Sequence, residues 1–409
     1  MSTDGSWMSA SDACRVLRIT PATLYAYVSR GFVRSEATRS ASRQRRYSRD
    51  DVERLRRRKE GRRDPDRTAA ETLRWGLPIL ESAITLIADN TLFYRGHDAV
   101  ELARTRSVAE VAALIWTGTF DDPFAARVRL PKLTSAGDGR LPFTARAQRA
   151  LAVASAHDHT ASDLRAPSVA LTGWRILWLL TSVAADAAPA GPPIEQALAH
   201  AWRVERRGLA ALRAALIVCA DHELNVSSFT ARCVASAGST PYAVVSAGLG
   251  ALEGVRHGGI SLRVESMLTA IRRAPGVRVA LAERLRRGES IDGFGHPLYR
   301  DGDPRASTVL DLLRDAYPRS PELAFAREVA DRAAHLIRER PTIDFALAAL
   351  ARVLRLPQGA PLVLFALGRT IGWIGHAIEQ YATGQIIRPR AKYVGVAPDR
   401  ERSSPSGGS

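Results

Sequence analysis

The sequence predicts a mainly α-helical protein, with a large helical body behind a small basic helical segment at the N-terminus. Apolar residues recur three and four positions apart along most of the chain, as at Ala99, Leu102 and Ala103, which is the spacing of one helix face. Alternating strand patterns are scarce. With 409 residues, 46% of them hydrophobic, the chain is long enough to form more than one folding unit.

The positive charge is concentrated near the N-terminus. The whole chain carries +16, and residues 1–63 hold 16 Lys and Arg against 7 Asp and Glu, a net +9. A basic block of this kind is typical of a surface that binds phosphate, most often in nucleic acid. A solvated, arginine-rich surface is the alternative explanation.

Capping residues mark two short helices in the basic block. Ser9 with Asp12 predicts the start of the first helix. After a short turn, Thr20 caps a second helix with Pro21 at its first position, and Gly31 ends it. Two helices joined so tightly predict a helix-turn-helix, whose second helix faces DNA. The candidate DNA contacts on that helix are Thr23, Tyr25 and Arg30.

A hairpin and a third helix complete the predicted N-terminal domain. Residues 32–34 and 45–47 could pair around a polar loop, and Ser48 would cap a helix that runs towards residue 59. The segment 9–55 resembles the winged helix-turn-helix of MerR-type regulators. The resemblance implies DNA binding through residues 9–59, and a structural or vestigial domain is the alternative. Further candidate DNA contacts, at the hairpin, are Arg43, Arg45 and Arg46.

Cysteine use and the lack of a leader favour a cytoplasmic protein. Cys14, Cys219 and Cys233 form no CxxC pair, so neither disulfides nor a thiolate metal site is predicted. The first residues have no basic region followed by an apolar run, unlike a secretory signal. Apolar stretches such as 361–367 are much shorter than the roughly 20 residues that span a bilayer, so no membrane contact is expected.

The histidines show little sign of metal binding. Asp221 to Asn225 reads Asp-His-Glu-Leu-Asn, which begins like the HExxH motif of zinc proteases, but Val226 stands where the second histidine would be. We therefore expect metal-free chemistry. His222 in this motif, His257 and His296 have unusual neighbours. The other histidines are interpreted as core or surface residues: His97, His157, His159, His200, His335 and His376.

Glycines accompany two of these three histidines. His257 is followed by Gly258 and Gly259 after a helical pattern, and His296 follows Gly-Phe-Gly. Glycine lets the backbone turn sharply and approach a ligand closely. A titratable side chain in such a turn indicates a ligand site rather than a core.

Six motifs, in their order, resemble those of citrate synthases. Four of them are Asp-His-Glu-Leu-Asn at 221–225, His-Gly-Gly at 257–259, Gly-Phe-Gly-His-Pro-Leu-Tyr-Arg-Asp-Gly-Asp-Pro-Arg at 293–305 and Pro-Thr-Ile-Asp at 341–344. The others are Gly-Arg-Thr-Ile-Gly-Trp-Ile-Gly-His at 368–376 and Ile-Arg-Pro-Arg at 387–390. The likeness covers about residues 75–395. It implies the all-α large and small domains of that family.

The resemblance assigns a role to each candidate residue. His257 would hydrogen-bond the thioester carbonyl of acetyl-CoA, Asp344 would take a proton from the adjacent carbon, and His296 would donate to the ketone of oxaloacetate. The family needs no cofactor beyond these substrates, and its tricarboxylic acid cycle product is citrate. It is a homodimer in which the last arginine, Arg388 here, reaches the neighbouring site. The implied oxaloacetate ligands are His222, Arg305, Arg369 and Arg388.

Departures from the family pattern concern the acyl-CoA side. Arg256 replaces a usual leucine, Ile260 a common alanine, and residues 297–298 are Pro-Leu instead of Arg-Val. No catalytic group is lost, but Arg300 is only a weak candidate for a CoA phosphate contact. Propionyl-CoA, giving 2-methylcitrate, is therefore an alternative substrate. A transcriptional regulator that senses a metabolite through a synthase-like domain is an alternative function.

The predicted domain organisation follows from these motifs. The helix-turn-helix domain is expected at 1–62 and a polar linker at 63–74. The citrate synthase-like part is expected at 75–395, with a small domain at about 262–352 inserted between parts of the large one. A disordered tail would follow at 396–409.

Overall fold

The computed structural model divides the chain into two compact units, Met1–Glu81 and Ser82–Ser409. The expected linker at 63–74, and all of the expected tail beyond its first residue, lie outside the residues that the structure describes. Those residues are 7–30, 32–37, 45–53, 55–56, 80–121, 141–187, 193–391 and 393–396.

The first unit contains the two predicted helices, α1 (Ala10–Leu17) and α2 (Pro21–Ser29). Both caps are confirmed: the Ser9 hydroxyl oxygen accepts the Asp12 N–H, and the Thr20 hydroxyl accepts the Thr23 N–H. Each bond satisfies one of the backbone donors that a helix start leaves unpaired. Ser48 caps the predicted third helix in the same way, through the Asp51 N–H, and residues 49–53 are helical.

A three-stranded antiparallel sheet packs with these helices. It consists of β1 (Trp7–Met8), β2 (Ser35–Ala37) and β3 (Arg45–Ser48), in the order β1-β3-β2. The hairpin is confirmed, but its first strand was wrongly placed at 32–34, because Val33 is fully buried in the core rather than paired in the ladder. The core also contains Leu17, Leu24, Tyr47 and Val52.

The second unit begins with a small sheet that the sequence patterns did not reveal. Strands β4 (Thr85–Ala88), β5 (Thr91–Tyr94) and β6 (His97–Asp98) form an antiparallel meander. Asp89 and Asn90 both have positive φ, 49° and 60°, as the tight turn of a two-residue hairpin requires. Strands of two to four residues are too short for alternation to be seen.

The remaining elements described in the second unit are helices, as predicted, including one short 3-10 turn at Arg206–Gly208. Most of the α-helices follow a Ser, Thr, Asp or Pro residue, and several of them pack against the longest one, Ala360–Thr383. In chain order they are α3 (Ala99–Thr105), α4 (Val108–Thr117), α5 (Phe143–His157), α6 (Ala166–Ala185), α7 (Ile194–Ala201), α8 (Leu209–Val218), α9 (Val226–Ser236), α10 (Pro241–Leu252), α11 (Gly259–Arg273), α12 (Val277–Arg286), α13 (Pro304–Ala316), α14 (Pro321–Ile337), α15 (Ile343–Leu354) and α16 (Ala360–Thr383).

Two hydrophobic cores form within this unit. The larger contains α3 to α10, α13 and most of α16. The smaller lies among α11, α12 and α14 and includes residues from Val264 to Ala349. Helix α15 belongs to both cores, because Leu347 and Leu350 pack into the larger one and Phe345 and Ala348 into the smaller one.

Two helices are longer and more apolar than the short runs considered in the sequence. Both α6 and α16 have the length and mean hydropathy of a membrane-crossing helix, but 67% and 100% of their apolar windows are buried inside the protein. Helix α16 is covered on all sides by other elements of the larger core.

Glycines let α16 approach its neighbours closely, so Gly368→Ala should destabilise the protein. A Cβ at this position would lie 2.5 Å from the Leu216 carbonyl oxygen, which is backbone and cannot give way. We expect the free energy of unfolding to fall by about 1–3 kcal/mol, measured by chemical denaturation followed by circular dichroism.

Gly250→Ala in α10 is the matched control, because the nearest neighbour of its Cβ would lie 3.6 Å away. The control should be neutral or stabilising by up to about 1 kcal/mol. Equal effects of the two substitutions would contradict this role of Gly368.

Candidate active site

Two histidines and a tyrosine pack together where two loops meet. His222 lies just after α8, and His296 and Tyr299 lie in the loop before α13. The imidazole centroids of His222 and His296 are 5.2 Å apart, and the His296 and Tyr299 rings are 4.9 Å apart. The Tyr299 hydroxyl is hydrogen-bonded to Nε2 of His222 at 3.0 Å. The structure therefore joins two motifs that are more than 70 residues apart in the chain.

The loop that carries His296 is shaped by glycines and attached to the segment before α15. Gly293 and Gly295 have φ of 86° and 78°, in the left-handed region that favours glycine. The Gly295 N–H donates to the Arg340 carbonyl at 2.9 Å, and the Thr342 N–H donates to the Gly293 carbonyl at 2.8 Å. These two hydrogen bonds fix the position of the His296 loop relative to the start of α15.

The hydrogen bond at His296 selects one tautomer of its ring. Nδ1 accepts the Leu298 N–H at 3.2 Å, so in the neutral ring the proton is on Nε2. Burial lowers the pKa of His296 to about 4, and the charge of Arg305 acts in the same direction. The pKa of His222 is also well below its usual value, through burial and the same arginine. At neutral pH both rings are uncharged hydrogen-bonding groups.

His257 lies at the tight turn before α11. A Cβ at Gly259 would lie 2.6 Å from the Glu253 carbonyl oxygen, so the turn can form only with glycine there. Nε2 of His257 is 2.8 Å from the Ser227 hydroxyl, which is also 2.8 Å from the Asn225 side-chain oxygen. Burial lowers the pKa of His257 to about 3, and the charge of Arg369 contributes. Because the Ser227 hydroxyl donates its one hydrogen to the Asn225 oxygen, it accepts from Nε2 of His257, so the neutral ring carries its proton on Nε2.

Asp344 is the second residue of α15 and is held by a serine of α11. The Ser261 hydroxyl donates to its Oδ1 at 2.5 Å. Burial raises the pKa of Asp344 to about 6, against the lowering effects of the Ser261 hydrogen bond and the charge of Arg305. A carboxyl group with this pKa can exchange a proton near neutral pH, as a general base must.

Arg305 forms a bidentate ion pair with Asp303. Its Nε and Nη2 donate to the two carboxylate oxygens at 2.9 and 2.8 Å, and its side chain is 3% exposed. Asp303 also accepts the N–H groups of Arg305 and Ile343, at the starts of α13 and α15. One carboxylate thus fixes Arg305 and the helix that carries Asp344.

Arg369 is equally buried but is held differently. Its Nε donates to the Cys219 carbonyl at 2.9 Å, and its guanidinium lies 4.9 Å from the Phe365 ring centre. Its Nη2 is buried without a hydrogen-bond partner. A buried charged donor without a partner costs free energy unless a ligand satisfies it. A carboxylate ligand fits this position, because guanidinium forks bind carboxylates well.

Two predicted substrate ligands are exposed rather than buried with this cluster. Arg388 is exposed in the segment after α16. Arg300 is exposed beside Tyr299 and lines a small cleft with His296, Arg338 and Arg340. Among the residues described, no group of three or more His, Cys, Asp or Glu side chains could hold a metal ion.

The candidate DNA contacts lie on the first unit. Tyr25 on α2 is 55% exposed, Thr23 is half-buried, and Arg30 at the end of the helix is exposed. Arg45 and Arg46 are exposed on β3. Arg43 lies outside the described residues.

Four residues of the site were not singled out from the sequence. Ser227 and Ser261 each follow a histidine motif by a few positions, but only the fold shows which side chain they meet. Tyr299 and Asp303 stand inside the motif at 293–305, where nothing local distinguishes them from their neighbours. The only sequence signal for these residues was proximity: Ser261, Tyr299 and Asp303 lie within a few positions of a glycine, and Ser227 follows the Asp-His-Glu-Leu-Asn motif.

Comparison with known families agrees with this fold. The model of the citrate synthase C-terminal domain matches residues 72–390, and that of the MerR helix-turn-helix regulatory proteins matches residues 8–62. Relatives include the putative citrate synthase 2 of Mycobacterium tuberculosis, 37% identical over 201 residues, 47% of this chain and 53% of the relative. The 2-methylcitrate synthase of Shewanella oneidensis is 34% identical over 188 residues, 45% of this chain and 50% of the relative. The aligned segment thus spans about half the length of each of these relatives.

Solved structures show the same fold. Citrate synthase from Thermotoga maritima superposes with a TM-score of 0.66 at 26% identity, over 80% of this chain and 98% of that one. Thermoplasma acidophilum citrate synthase, in its ternary complex with carboxymethyl coenzyme A and oxaloacetate, gives a TM-score of 0.68 at 23% identity, over 79% and 95% of the two chains. With the family model matching from residue 72 to residue 390, the chain belongs to the citrate synthase family.

Proposed function

We propose that the protein condenses acetyl-CoA with oxaloacetate and water to give citrate and CoA. One observation carries this proposal: a carboxylate base and two neutral imidazoles lie around two buried guanidinium groups. The guanidinium groups suit a dicarboxylate substrate. The base and the imidazoles suit the formation of a carbon–carbon bond beside a thioester.

In the first step Asp344 takes a proton from the methyl carbon of acetyl-CoA. The electron pair moves onto the thioester oxygen, and the resulting enolate accepts a hydrogen bond from His257. A neutral donor in a dry site stabilises this developing charge well, because no water competes for it. For His257 to donate from Nδ1 to the enolate, the Ser227 hydroxyl turns from the Asn225 oxygen and donates to Nε2 instead.

In the second step the enolate carbon attacks the ketone carbon of oxaloacetate. The ketone oxygen becomes an alkoxide and receives a hydrogen bond from Nε2 of His296, the nitrogen that carries the proton when Nδ1 accepts from Leu298. Water then cleaves the thioester, which releases citrate and CoA. The proposed steps use only these side chains, the two substrates and water, without a cofactor.

Oxaloacetate would be held by His222, Arg305 and Arg369, with Arg388 supplied by a second copy of the chain. The exposure of Arg388 after α16 suits this role, since its side chain is available to another subunit. The active form would then be a homodimer. Arg300, exposed at the cleft beside His296, is the proposed CoA phosphate contact.

The acyl group is the least constrained part of this proposal, because relatives are named both citrate synthase and 2-methylcitrate synthase. We favour acetyl-CoA and keep propionyl-CoA as the alternative. One methylene changes binding in a pocket by only about 1–3 kcal/mol, so the two substrates are separated by their kcat/KM values rather than by strict exclusion.

A second function, DNA binding, is supported by the match of residues 8–62 to MerR regulators and by the capped helix pair α1–α2. The synthase-like part would then act as a sensor of oxaloacetate, citrate or an acyl-CoA. A twofold dimer would suit a pseudo-palindromic operator. The two functions are compatible in one protein.

The first test measures oxaloacetate-dependent CoA release from acetyl-CoA and propionyl-CoA. We expect higher kcat/KM with acetyl-CoA, and a fall in kcat of about 10²–10⁴-fold in Asp344→Ala, because the general base is lost. Asp331→Ala, at an exposed position of α14, is the control and should keep full activity. Equal activity of the unaltered protein and Asp344→Ala would contradict the mechanism.

The second test uses the pH dependence of kcat/KM for acetyl-CoA, which reports the pKa values of the protein before acetyl-CoA binds. Asp344 must be ionised to accept a proton, so the rate should rise with pH, reach half its plateau near pH 6, and stay high above it. The Ser261 hydrogen bond lowers the pKa of Asp344, so Ser261→Ala should move this limb to higher pH. Ser266→Ala, exposed on the same helix, should leave the limb unchanged. A limb that stays in place or moves to lower pH in Ser261→Ala would refute the assignment.

The third test is a mobility shift with DNA fragments upstream of the protein's own gene, over a range of salt concentrations. Arg30→Ala and Arg45→Ala should weaken binding, and removing one arginine–phosphate interaction should reduce the salt slope by about 1. Arg286→Ala, an exposed arginine in the second unit, should have no effect. Specific binding that survives both N-terminal substitutions would argue against this DNA-contacting surface.

A further inference from the structure

One face of α16 contacts three consecutive residues that precede His222. Arg369 donates from Nε to the Cys219 carbonyl at 2.9 Å, and the Gly372 N–H donates to the Ala220 carbonyl at 3.0 Å. One turn further on, Nε2 of His376 is 3.2 Å from Oδ1 of Asp221. The spacing 369, 372, 376 places all three on one side of the helix. This face therefore fixes the chain that leads into His222.

Asp221 is the one acidic residue among these three, and it is fully buried. Its carboxylate accepts the Thr85 hydroxyl of β4 at 2.6 Å and Nε2 of His376 at 3.2 Å. Gly372 makes room for it, since a Cβ there would lie 2.5 Å from Oδ1 of Asp221. Although burial opposes ionisation, the electrostatic interaction and hydrogen bond with His376, then the positive charge of Arg369 and the Thr85 hydrogen bond, keep the pKa of Asp221 below its usual value.

His376 holds the Asp221 carboxylate from the side of α16. The ring is fully buried, its Nε2 faces Asp221, and its Nδ1 has no hydrogen-bond partner among the described residues. Because a carboxylate only accepts hydrogen bonds, Nε2 of His376 is the donor, and it orients the carboxylate of Asp221.

The two buried arginines of the candidate active site, Arg305 and Arg369, differ in how their charge is compensated. Arg305 uses Nε and Nη2 for its direct ion pair with Asp303. Arg369 has no carboxylate within ion-pair distance among the described residues, and its Nη2 has no partner. The Asp221 carboxylate packs against Gly372, one turn along α16 from Arg369, where a Cβ would lie 2.5 Å from its Oδ1. Burial disfavours the charge of Arg369, and the negative charge of Asp221 opposes this effect.

We propose that Asp221 is a positioning residue of the oxaloacetate site, a nearby counter-ion of Arg369 that leaves Nη2 of Arg369 available for a substrate carboxylate. Thr85 and His376 hold Asp221 in place for this purpose. The assignment deepens the proposed function and rests on it, because it takes a dicarboxylate as the ligand of Arg369.

A counter-ion that is near but not in contact has a specific advantage. In a region of low dielectric constant, a charge acts at a distance that water would screen out. Asp221 therefore stabilises Arg369 without occupying its donor, whereas Asp303 occupies two donors of Arg305. A substrate carboxylate that reaches Nη2 of Arg369 has no protein carboxylate to displace.

The test compares oxaloacetate binding, measured by calorimetry on the full-length protein, with steady-state kinetics. In Asp221→Asn we expect the Kd and KM for oxaloacetate to rise about 10- to 100-fold, because a neutral amide no longer supports the charge of Arg369. The KM for acetyl-CoA should change less than about twofold, since the thioester side of the site contains other groups.

Variants of the supporting residues extend this test. His376→Gln retains an N–H that can donate to Asp221 and should keep oxaloacetate affinity close to that of the unaltered protein. His376→Leu and Thr85→Val each remove one donor and should weaken oxaloacetate binding selectively. These two variants also decide the question if Asp221→Asn does not fold.

A matched control distinguishes positioning from general stability. Asp158 is a largely buried carboxylate at the end of α5, where it binds Arg175 and Tyr242 rather than a residue of the candidate active site. Asp158→Asn should lower the melting temperature and leave the KM for oxaloacetate unchanged. Parallel losses for both substrates in Asp221→Asn and His376→Leu, or no loss for oxaloacetate, would overturn the assignment.

The same measurements separate this assignment from the proposed function. If the unaltered protein binds oxaloacetate but releases no CoA, the proposed reaction fails, and the selective loss of binding in Asp221→Asn still supports the role of Asp221. If the unaltered protein binds neither oxaloacetate nor citrate, both the proposed function and the assignment are overturned.

Discussion

Two guanidinium groups, those of Arg305 and Arg369, lie in the protein interior with 3% and 1% exposure, and the surrounding structure must compensate their charge. Removing an ion from water costs several kcal/mol even after a protein relaxes around it. Asp303 meets this cost for Arg305 by direct pairing, and it anchors the start of α15 at the same time. The starts of α13 and α15, and with the latter the position of Asp344, depend on this arrangement of buried charge.

The same positive charges act on the histidines. The charge of Arg305 and the loss of water both disfavour imidazolium, so His222 and His296 are neutral, and Arg369 has this effect on His257. Only Asp344 among the proposed catalytic groups has a pKa close to neutrality. The candidate site therefore combines buried cations, neutral imidazoles and one carboxyl group with a pKa near 6, and burial contributes to each of these properties.

Local sequence patterns predicted the helices and the candidate site residues more completely than the side chains that contact those residues. The caps at Ser9 and Thr20, the helical body and the order of the motifs could all be derived from short segments. The meander at 85–98 was missed because its strands are too short to show alternation. Ser261 and Thr85 were missed for a different reason: they meet Asp344 and Asp221 across 83 and 136 residues of chain. Such contacts arise only from packing, which no local pattern encodes.

Helix α15 is shared by both hydrophobic cores, and this has a mechanical consequence. Leu347 and Leu350 attach it to the core that holds Arg369, whereas Phe345 and Ala348 attach it to the core that holds Ser261 and its helix. Asp344, on the first turn, is therefore sensitive to any small sliding of one core past the other. A displacement of a fraction of an ångström between the two cores would therefore move the Asp344 carboxylate. Helix α15 couples the packing of the two cores to the position of this one side chain.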